Sequence, residues 1–348
     1  MSSISVNTIT DASGGATTSI NGFTPSVSNM AGRNRIINGD MRIDQRNAGA
    51  AVTANASYPV DRWKVNDSQG LGFSSQRSTT APAGYSNSLS YTVTGTGTVT
   101  GTNNVRFTCA IEGYNTADLA FGTTSGKPVT VSFNVRSSLT GTFCVAVWDS
   151  SQAYSYVTEY TINSANTWET KSVTIPAPTI GTWNTDNSIG LILLFDLGSG
   201  PDRATTADTW QAGLYSKTSN QVQIHDTNGA TFYITGVQLE EGSVATPFEH
   251  RQYGQELALC QRYFEVAYVT SSNYAFLSSS YLGTTNNWYS YYYKVPKRAV
   301  ATFNLTNGTW NGSPTIYAHI DQTMFYGGSN FLLQGTAGQS ACSFSAEL

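Results

Sequence analysis

The sequence has few charged residues. Asp, Glu, Lys and Arg make up 11% of its 348 residues, against about a quarter in ordinary soluble domains. Helix surfaces are usually built from Ala, Leu, Glu, Lys and Arg, so this scarcity disfavours a helical protein. Aromatic residues reach 12%, with 20 Tyr and 7 Trp, and Gly is frequent. This composition favours short strands, tight turns and a folded core, and it predicts an all-β protein.

Three further absences restrict the partners and the location. No basic run interleaved with aromatics occurs and the net charge is −4, so we expect no nucleic-acid binding. No stretch reaches the roughly 20 apolar residues that span a bilayer, so we expect no membrane insertion. The first ten residues, MSSISVNTIT, lack the basic start and apolar centre of a secretory signal. We therefore expect synthesis in the cytoplasm.

The cysteines are few and scattered. Cys109, Cys144, Cys260 and Cys342 form no CxxC pair. Thiolate metal sites need clustered ligands, and disulfide frameworks need more cysteines and an oxidising compartment. We expect four buried, reduced thiols.

Common enzyme motifs are also missing. His225, His250 and His319 have no metal-ligand spacing, and we expect them to be ordinary surface or edge residues. The sequence contains neither a GxSxG nucleophile elbow nor a GxxxxGK[ST] phosphate loop. Separated carboxylates such as Asp149 and Asp196 could still meet in space. We predict a protein that is not an enzyme, with no catalytic residue, metal or cofactor.

Alternation of apolar and polar residues dominates residues 33–249. Apolar side chains occupy the odd-numbered positions of residues 105–112 and 129–136, and the pattern recurs in residues 142–149. A period of two predicts strands with one face on a core and the other in water. Residues 190–197, GLILLFDL, are almost continuously apolar, which predicts a strand covered on both faces. Some eight to ten such strands predict a two-sheet sandwich, for which the jelly roll is the common arrangement.

The chain divides into four predicted regions. Residues 1–32 are polar and Gly-rich, and their short hairpin needs other copies, a partner or the body to lie against. Residues 33–249 form the predicted jelly roll. Residues 250–266 carry the one helical pattern, a connector of two or three turns. Residues 267–348 return to strands and form a smaller C-terminal β domain. A domain of this size has a modest core, and self-association would bury more of its surface.

Several aromatic residues lie in polar or Gly-rich surroundings, which makes them candidates for sugar binding. The C–H faces of sugar rings stack on aromatic rings, while nearby polar side chains bond the hydroxyls. The alternative is that these aromatics pack in the core or against neighbouring subunits. The predicted glycan-binding candidates are Trp148, Tyr154, Tyr156, Trp183, Trp210, Trp288, Tyr289 and Tyr291.

Four stretches resemble parts of known protein families. Residues 35–46, RIINGDMRIDQR, followed by YPVDRWKV at 58–65, resemble the opening of jelly-roll carbohydrate-binding modules. Residues 232–249, FYITGVQLEEGSVATPFE, resemble the closing strand in the version common in phage tail-fibre and related virion proteins. Residues 257–265 resemble the stretch that leads into a fibre tip. Residues 5–15, SVNTITDASGG, resemble the start of virion-attached proteins of phages that infect cyanobacteria and marine bacteria.

The resemblance implies a homotrimeric appendage subunit, similar to a tail fibre, that is located in the virion. Residues 1–32 would attach it to another virion protein, and its C-terminal half would face host cell-surface polysaccharide. Two other interpretations stay open. One is a purely structural head-decoration, neck or baseplate component, and the other is a glycan depolymerase.

Carbohydrate-binding modules of this kind often hold a structural calcium ion. The corresponding positions here read Met41-Arg42 and Thr235-Gly236-Val237, and only Asp40 remains as an acidic ligand. Because calcium needs several oxygen ligands, the sequence leaves calcium binding open. The sugar-binding face of these modules varies, so the resemblance transfers no individual binding residue.

Overall fold

The structure, a computed structural model, describes most of the chain. The described residues are 32–269, 278–281, 287–306, 308–311, 315–327, 332–335 and 340–348. The predicted N-terminal hairpin and the side chains of Trp288 and Tyr289 lie outside the described part.

Two antiparallel sheets face each other and form the body of the molecule. One sheet has seven strands in the order β1-β2-β5-β10-β7-β8-β11, and the other has five in the order β3-β4-β12-β6-β9. The predicted jelly-roll sandwich is thereby confirmed. It has twelve strands rather than eight to ten, partly because the edge strands β1 and β11 are too short to show alternation. The strands are β1 (Ser57–Val60), β2 (Trp63–Asp67), β3 (Phe73–Ser78), β4 (Ser88–Val93), β5 (Val105–Glu112), β6 (Val129–Ser137), β7 (Gly141–Asp149), β8 (Tyr154–Ile162), β9 (Glu169–Ile175), β10 (Ile189–Asp196), β11 (Trp210–Ala212) and β12 (Thr231–Glu241).

The main core lies between the two sheets and contains the residues that alternation assigns to it. Aromatic side chains meet across the gap between the sheets. The ring centroids of Phe133 on β6 and Phe195 on β10 are 4.9 Å apart. Phe143 on β7 lies 5.6 Å from Phe232 on β12. The predicted inward residues of β5, β6 and β7 are all buried in this core: Val105, Phe107, Cys109, Ile111, Val129, Val131, Phe133, Val135, Phe143, Val145 and Val147.

The outer face of the seven-stranded sheet differs from the expectation. Arg106 and Glu112 on β5, predicted to point into water, are only 6% and 1% exposed. Chain segments cover parts of this face, and Arg262 donates to Glu112 at 2.5 Å. The prediction for residues 190–197 is confirmed. Leu191 and Leu193 face the main core, whereas the neighbouring outward residues of β10 belong to a second apolar cluster.

The opening stretch, residues 35–46, joins the first and last parts of the sandwich. Asn38 adopts a left-handed backbone conformation, with φ 58°, which Asn tolerates better than most residues. Its amide donates to the Asp61 carbonyl at 2.9 Å, and the Trp63 indole donates to the Asn38 carbonyl at 3.1 Å. A side chain at Gly39 would meet the Val237 carbonyl oxygen at 2.2 Å. The opening and closing stretches are therefore in direct contact, and Gly39 is needed for the close approach.

One α-helix follows the sandwich. Helix α1 (Tyr253–Gln261) lies within the predicted connector. Phe264, which lies inside the segment predicted to be helical (residues 250–266), begins a strand instead. Cys260 and Tyr263 pack against Ile37 of the opening segment, which ties the end of the helix to the sandwich. No helix in the described part of the chain is long and apolar enough to cross a membrane.

Smaller antiparallel sheets make up the C-terminal part, as predicted. Their orders are β13-β21-β16, β14-β15-β19-β18 and β17-β20. Glu347 forms ion pairs with Arg46 at 2.9 Å and with Arg62, so the C-terminal part is joined to the sandwich by charged groups. The strands are β13 (Phe264–Val269), β14 (Ser278–Tyr281), β15 (Asn287–Tyr292), β16 (Thr302–Thr306), β17 (Gly308–Asn311), β18 (Thr315–Ala318), β19 (Gln322–Gly327), β20 (Leu332–Gly335) and β21 (Ser340–Ser345).

The cysteine prediction is confirmed, because all four thiols are free and buried. Burial raises the pKa of Cys109, Cys144 and Cys342 to about 12. These thiols are therefore protonated at neutral pH, which makes them poor nucleophiles and poor metal ligands.

The expectation that His225 lies at the surface is wrong. It is 1% exposed, with Nδ1 2.9 Å from the Gly95 carbonyl oxygen and Nε2 2.9 Å from the Asp67 carboxylate. Both oxygens only accept hydrogen bonds, so the ring meets them best as the doubly protonated imidazolium. Burial lowers the pKa of His225, but these hydrogen bonds raise it more, and the net shift is upward. The pKa of Asp67 is raised by burial but shifted downward overall by bonds from His225 and Tyr91.

The contact between His225 and Asp67 should make the free energy of unfolding depend on pH. The folded-state pKa of His225 is raised, so its contribution is complete below about pH 6 and is lost as the pH rises through that pKa. The lowered pKa of Asp67 has the opposite effect, and its contribution is lost in acid. The substitution His225→Gln should lower the unfolding free energy by about 3 kcal/mol near pH 6 and flatten the fall of this free energy as the pH rises above about 6. Urea unfolding across this range measures both. The exposed His319→Gln is the control, and an unchanged slope in H225Q would contradict the assignment.

Candidate functional site

An open cleft lies on the outer face of the seven-stranded sheet. We call it the sheet-face cleft, and its cavity volume is about 210 Å³. Strands β1, β2, β5, β7 and β10 contribute to it, so it spans the middle of the sheet. The lining residues are Tyr58, Arg62, Lys64, Asn66, Arg106, Thr108, Ala110, Trp148, Gln152, Ile189, Ile192 and Leu348.

Strand alternation explains which side chains reach the cleft. Trp63 and Val65 of β2 face the main core, so Lys64 and Asn66 between them face outward. The same rule directs Arg106 and Thr108 of β5 outward, next to the neighbouring strand β2. It also directs Trp148 of β7 to the outer face. Three strands thus place basic, amide, hydroxyl and indole groups side by side.

Residues 214–218 cover part of the outer face. The covered part contains a small apolar cluster that includes Ala146, Leu194 and Trp148. Tyr215 packs on this cluster, and its carbonyl oxygen accepts a hydrogen bond from Trp148 Nε1 at 2.6 Å. This segment therefore fixes the indole, and the cleft lies open beside it on the same face.

Arg106 is the most unusual group in the cleft. Its guanidinium lies over the Trp148 ring, 4.3 Å from the ring centroid, a distance typical of a cation–π contact. Nε and Nη1 of Arg106 are buried and have no hydrogen-bond partner among the described residues. Burial lowers the pKa of Arg106 to about 9, Asp196 opposes this shift, and Arg203 adds to it. Each unpartnered buried donor costs about 1–3 kcal/mol.

The other polar residues of the cleft differ in how many hydrogen bonds and ion pairs they already form within the protein. Arg62 forms an ion pair with Glu347 and donates to the Ala110 carbonyl at 2.5 Å. The Thr108 hydroxyl donates to Asn66 Oδ1 at 3.2 Å, which orients the amide. No ion pair is found for half-buried Lys64 within the described residues. The cleft thus offers hydrogen-bonding groups beside a guanidinium with two unused donors.

Three predicted aromatic residues meet elsewhere, at the open edge between the sheets. Trp183 lies 5.5 Å from Trp210 and 4.9 Å from Phe121, and Trp210 lies 5.4 Å from Tyr156. We call these four residues the edge aromatic cluster. The Trp183 and Trp210 indoles donate to backbone carbonyls at 2.9 and 2.8 Å. The structure therefore brings these predicted residues together, but it separates them from Trp148.

The remaining predicted residues occupy other places. Tyr154 is half-buried at the start of β8, and its backbone N–H donates to Asp149 at 2.8 Å. Tyr291 is 7% exposed and stacks on Phe344 at 4.9 Å. Trp288 and Tyr289 lie on β15, and their side chains are outside the described part. Glycan binding by these residues stays a prediction.

The acidic pair considered from the sequence does not meet. Asp149 lies opposite Leu191 in the β7–β10 ladder, and Asp196 is five residues further along β10. At about 3.3 Å per residue their backbones are roughly 17 Å apart. In the described part of the chain, no group of three or more His, Cys, Asp and Glu side chains is placed to hold a metal ion.

Sequence reasoning missed the residues that make the cleft, namely Lys64, Asn66, Arg106 and Thr108. The signal was present, because alternation placed Arg106 and Thr108 on the outward face of β5. What alternation does not show is that another segment covers part of that face and buries an arginine.

No protein-family model matches this chain, and no curated protein matches it. In structure, the chain is distantly similar to carbohydrate-binding modules and to a phage tailspike domain. The enzymatically active domain of bacteriophage CBA120 tailspike protein 4 aligns with 13% identity and a TM-score of 0.31, covering 60% of this chain and 21% of that one.

A family 61 carbohydrate-binding module solved with β-1,4-galactotriose aligns with 10% identity and a TM-score of 0.31, covering 60% of this chain and 99% of that one. A family 11 module from Clostridium thermocellum, solved with a mixed-linked tetrasaccharide, has 13% identity and a TM-score of 0.28, covering 59% and 100%. Similarity at this level carries no functional information. The site is therefore interpreted from the residues of this chain.

We expect the free energy of unfolding to rise when Arg106 is replaced by an apolar residue. The substitution Arg106→Met keeps the apolar contact with Trp148 and removes the two unpartnered donors. The lost cation–π contact offsets part of this gain, so we expect the unfolding free energy to rise by about 1 kcal/mol. Urea unfolding at neutral pH measures it. A fall of similar size in R106M would show that Arg106 is satisfied in the folded protein.

Proposed function

We propose that this chain is a non-enzymatic structural protein of a phage virion, a trimeric, tail-fibre-like appendage that binds host surface glycan through the sheet-face cleft. The resemblance of residues 5–15, 232–249 and 257–265 to parts of phage virion and fibre proteins supports the appendage and its location in the virion. The observation that carries the glycan site is the group of side chains in the cleft, where Asn66, Thr108 and Lys64 surround the Arg106–Trp148 stack.

The chemistry of the cleft suits a sugar. Saccharides present many hydroxyls, which amide, hydroxyl and cationic side chains bond, and an apolar wall supports their C–H faces. Ile189 and Ile192 supply such a wall beside the polar groups. The volume of about 210 Å³ lies below the range of about 300–1,000 Å³ for drug-sized ligands. The cleft is thus suited to about one sugar unit of a longer chain.

A single small site implies weak binding, and trimerisation would compensate for it. Three linked sites on one appendage raise avidity well above the affinity of each site when the glycan repeats along the cell surface. Residues 1–32 would join the appendage to another virion protein.

A purely structural role in a head, neck or baseplate is the second candidate, and one observation favours it. The edge aromatic cluster uses its indole N–H groups inside the chain and packs its rings on one another. Aromatics used in this way stabilise the sandwich and need no external ligand. In this alternative the isolated protein would bind no glycan.

Removing the polar pair of the cleft should weaken glycan binding. Labelled full-length protein is applied to an array of bacterial surface polysaccharides, and the best-bound glycan is titrated against Asn66→Ala combined with Thr108→Ala. We expect about fivefold weaker binding, equivalent to about 1 kcal/mol of hydrogen bonding.

The matched control is Asn134→Ala combined with Thr170→Ala. These residues form the same kind of pair, at 2.8 Å, on the outer face of the five-stranded sheet. The control should bind like the unaltered protein. Equal binding by both double variants would place the site elsewhere, and binding to no polysaccharide would favour the structural role.

A further inference from the structure

We propose that the ligand of the sheet-face cleft is an acidic sugar, a saccharide unit whose carboxylate or sulfate group lies against the Arg106 guanidinium. This inference rests on the proposed function, which makes the cleft a glycan site, and adds the charge of the ligand.

The charged side chains that line the cleft are all basic. Arg62, Lys64 and Arg106 carry positive charge, and the lining side chains that the structure describes include neither Asp nor Glu. The protein as a whole has a net charge of −4. Because Arg62 is paired with Glu347, the positive charge of the cleft comes from Lys64 and Arg106. This charge is opposite in sign to that of the whole molecule, and a concave site with one sign of charge concentrates ligands of the other sign.

The nearest acidic residue along the sheet does not neutralise Arg106. Asp196 lies directly opposite Arg106 in the β5–β10 ladder, yet no ion pair joins them in the described part of the chain. The Asp196 carboxylate accepts instead from the backbone N–H groups of Gly198 and Ser199 at 2.8 and 2.9 Å, and from the Ser216 hydroxyl at 2.6 Å. The carboxylate is held by other donors, so Arg106 stays unpaired.

The two other lining cations contrast with Arg106. Arg62 is paired with Glu347, so its charge is already balanced. Lys64 is half-buried on β2 and lies with its ammonium 5.8 Å from the Tyr58 ring. Lys64 can therefore turn towards a ligand, whereas Arg106 is fixed and buried.

The stack on Trp148 prepares Arg106 for an oxyanion. One face of the guanidinium lies against the indole, and its buried Nε and Nη1 have no hydrogen-bond partner among the described residues. A planar guanidinium fork matches two oxygens of a carboxylate or sulfate. A neutral hydroxyl could accept one of these bonds but would leave the buried charge unbalanced. Burial lowers the pKa of Arg106 to about 9. A bound anion would raise this pKa again, because it stabilises the charged guanidinium.

The cleft also offers the contacts that a sugar needs beyond its acidic group. Asn66 and Thr108 lie beside Lys64 and Arg106 on the same two strands, within reach of ring hydroxyls. A free inorganic anion would use the guanidinium alone. The combination favours an anionic group that is attached to a saccharide.

The test compares acidic and neutral polysaccharides that share one backbone. Immobilised full-length protein is titrated with polygalacturonate and its carboxyl-reduced product, and with dextran sulfate and unmodified dextran. We expect the acidic member of at least one pair to bind tenfold tighter or more. Arg106→Met should weaken that binding by about tenfold or more, because it removes charge-assisted hydrogen bonds. The two pairs distinguish a carboxylate from a sulfate ligand.

Arg136→Met is the matched control. Arg136 also lies over an aromatic ring, Tyr233 at 5.1 Å, but on the outer face of the other sheet. This variant should bind like the unaltered protein. If R106M fails to fold, Lys64→Met replaces it, with an expected weakening of about threefold.

The outcomes separate the two proposals. Equal binding of acidic and neutral members, or acidic binding that R106M leaves unchanged, would overturn the acidic ligand and keep the glycan site. Binding of none of these polysaccharides nor of any glycan on the array would overturn both. Tighter binding of a short single-stranded DNA than of polygalacturonate would identify a phosphate backbone and overturn the sugar assignment.

Discussion

The outer face of the seven-stranded sheet is partly apolar, and the rest of the structure depends on how that face is covered. Leu194, Ala146 and Trp148 face away from the main core, so a segment of chain has to exclude water from them. Residues 214–218 do so over part of the face. The uncovered part, beside the fixed Trp148 indole, is the sheet-face cleft. The position of the candidate site therefore follows from incomplete cover of an apolar sheet face.

The sandwich could be predicted from the sequence because alternation is a local signal. The inward sets of β5, β6 and β7 were assigned from residue order alone, and the continuous apolar run in β10 indicated a strand covered on both faces. The site could be predicted only in part. Trp148 was identified, but the cover that buries Arg106 comes from residues about 100 positions away in sequence. His225 was misplaced for the same reason, since its partner Asp67 is 158 residues distant. Local patterns carry no information about such contacts.

Function and stability are opposed at Arg106. Two unpartnered donors in a buried guanidinium are a cost that selection for stability alone would remove, and a methionine would fill the same space. A buried group without a partner needs an explanation, and a ligand that completes the site is the one that we propose. By contrast, the edge aromatic cluster is internally satisfied. This difference, rather than the number of aromatic rings, separates the stronger site candidate from the weaker one.

The proposed function places glycan binding in the open cleft on the outer face of the seven-stranded sheet. The most direct measurement is a crystal structure of the full chain with an acidic oligosaccharide such as a short oligogalacturonate. We expect a sugar unit in the sheet-face cleft, with its carboxylate within hydrogen-bond distance of Arg106 and its hydroxyls near Asn66 and Thr108. A ligand bound at the edge aromatic cluster or on the C-terminal sheets, with the cleft empty, would contradict it.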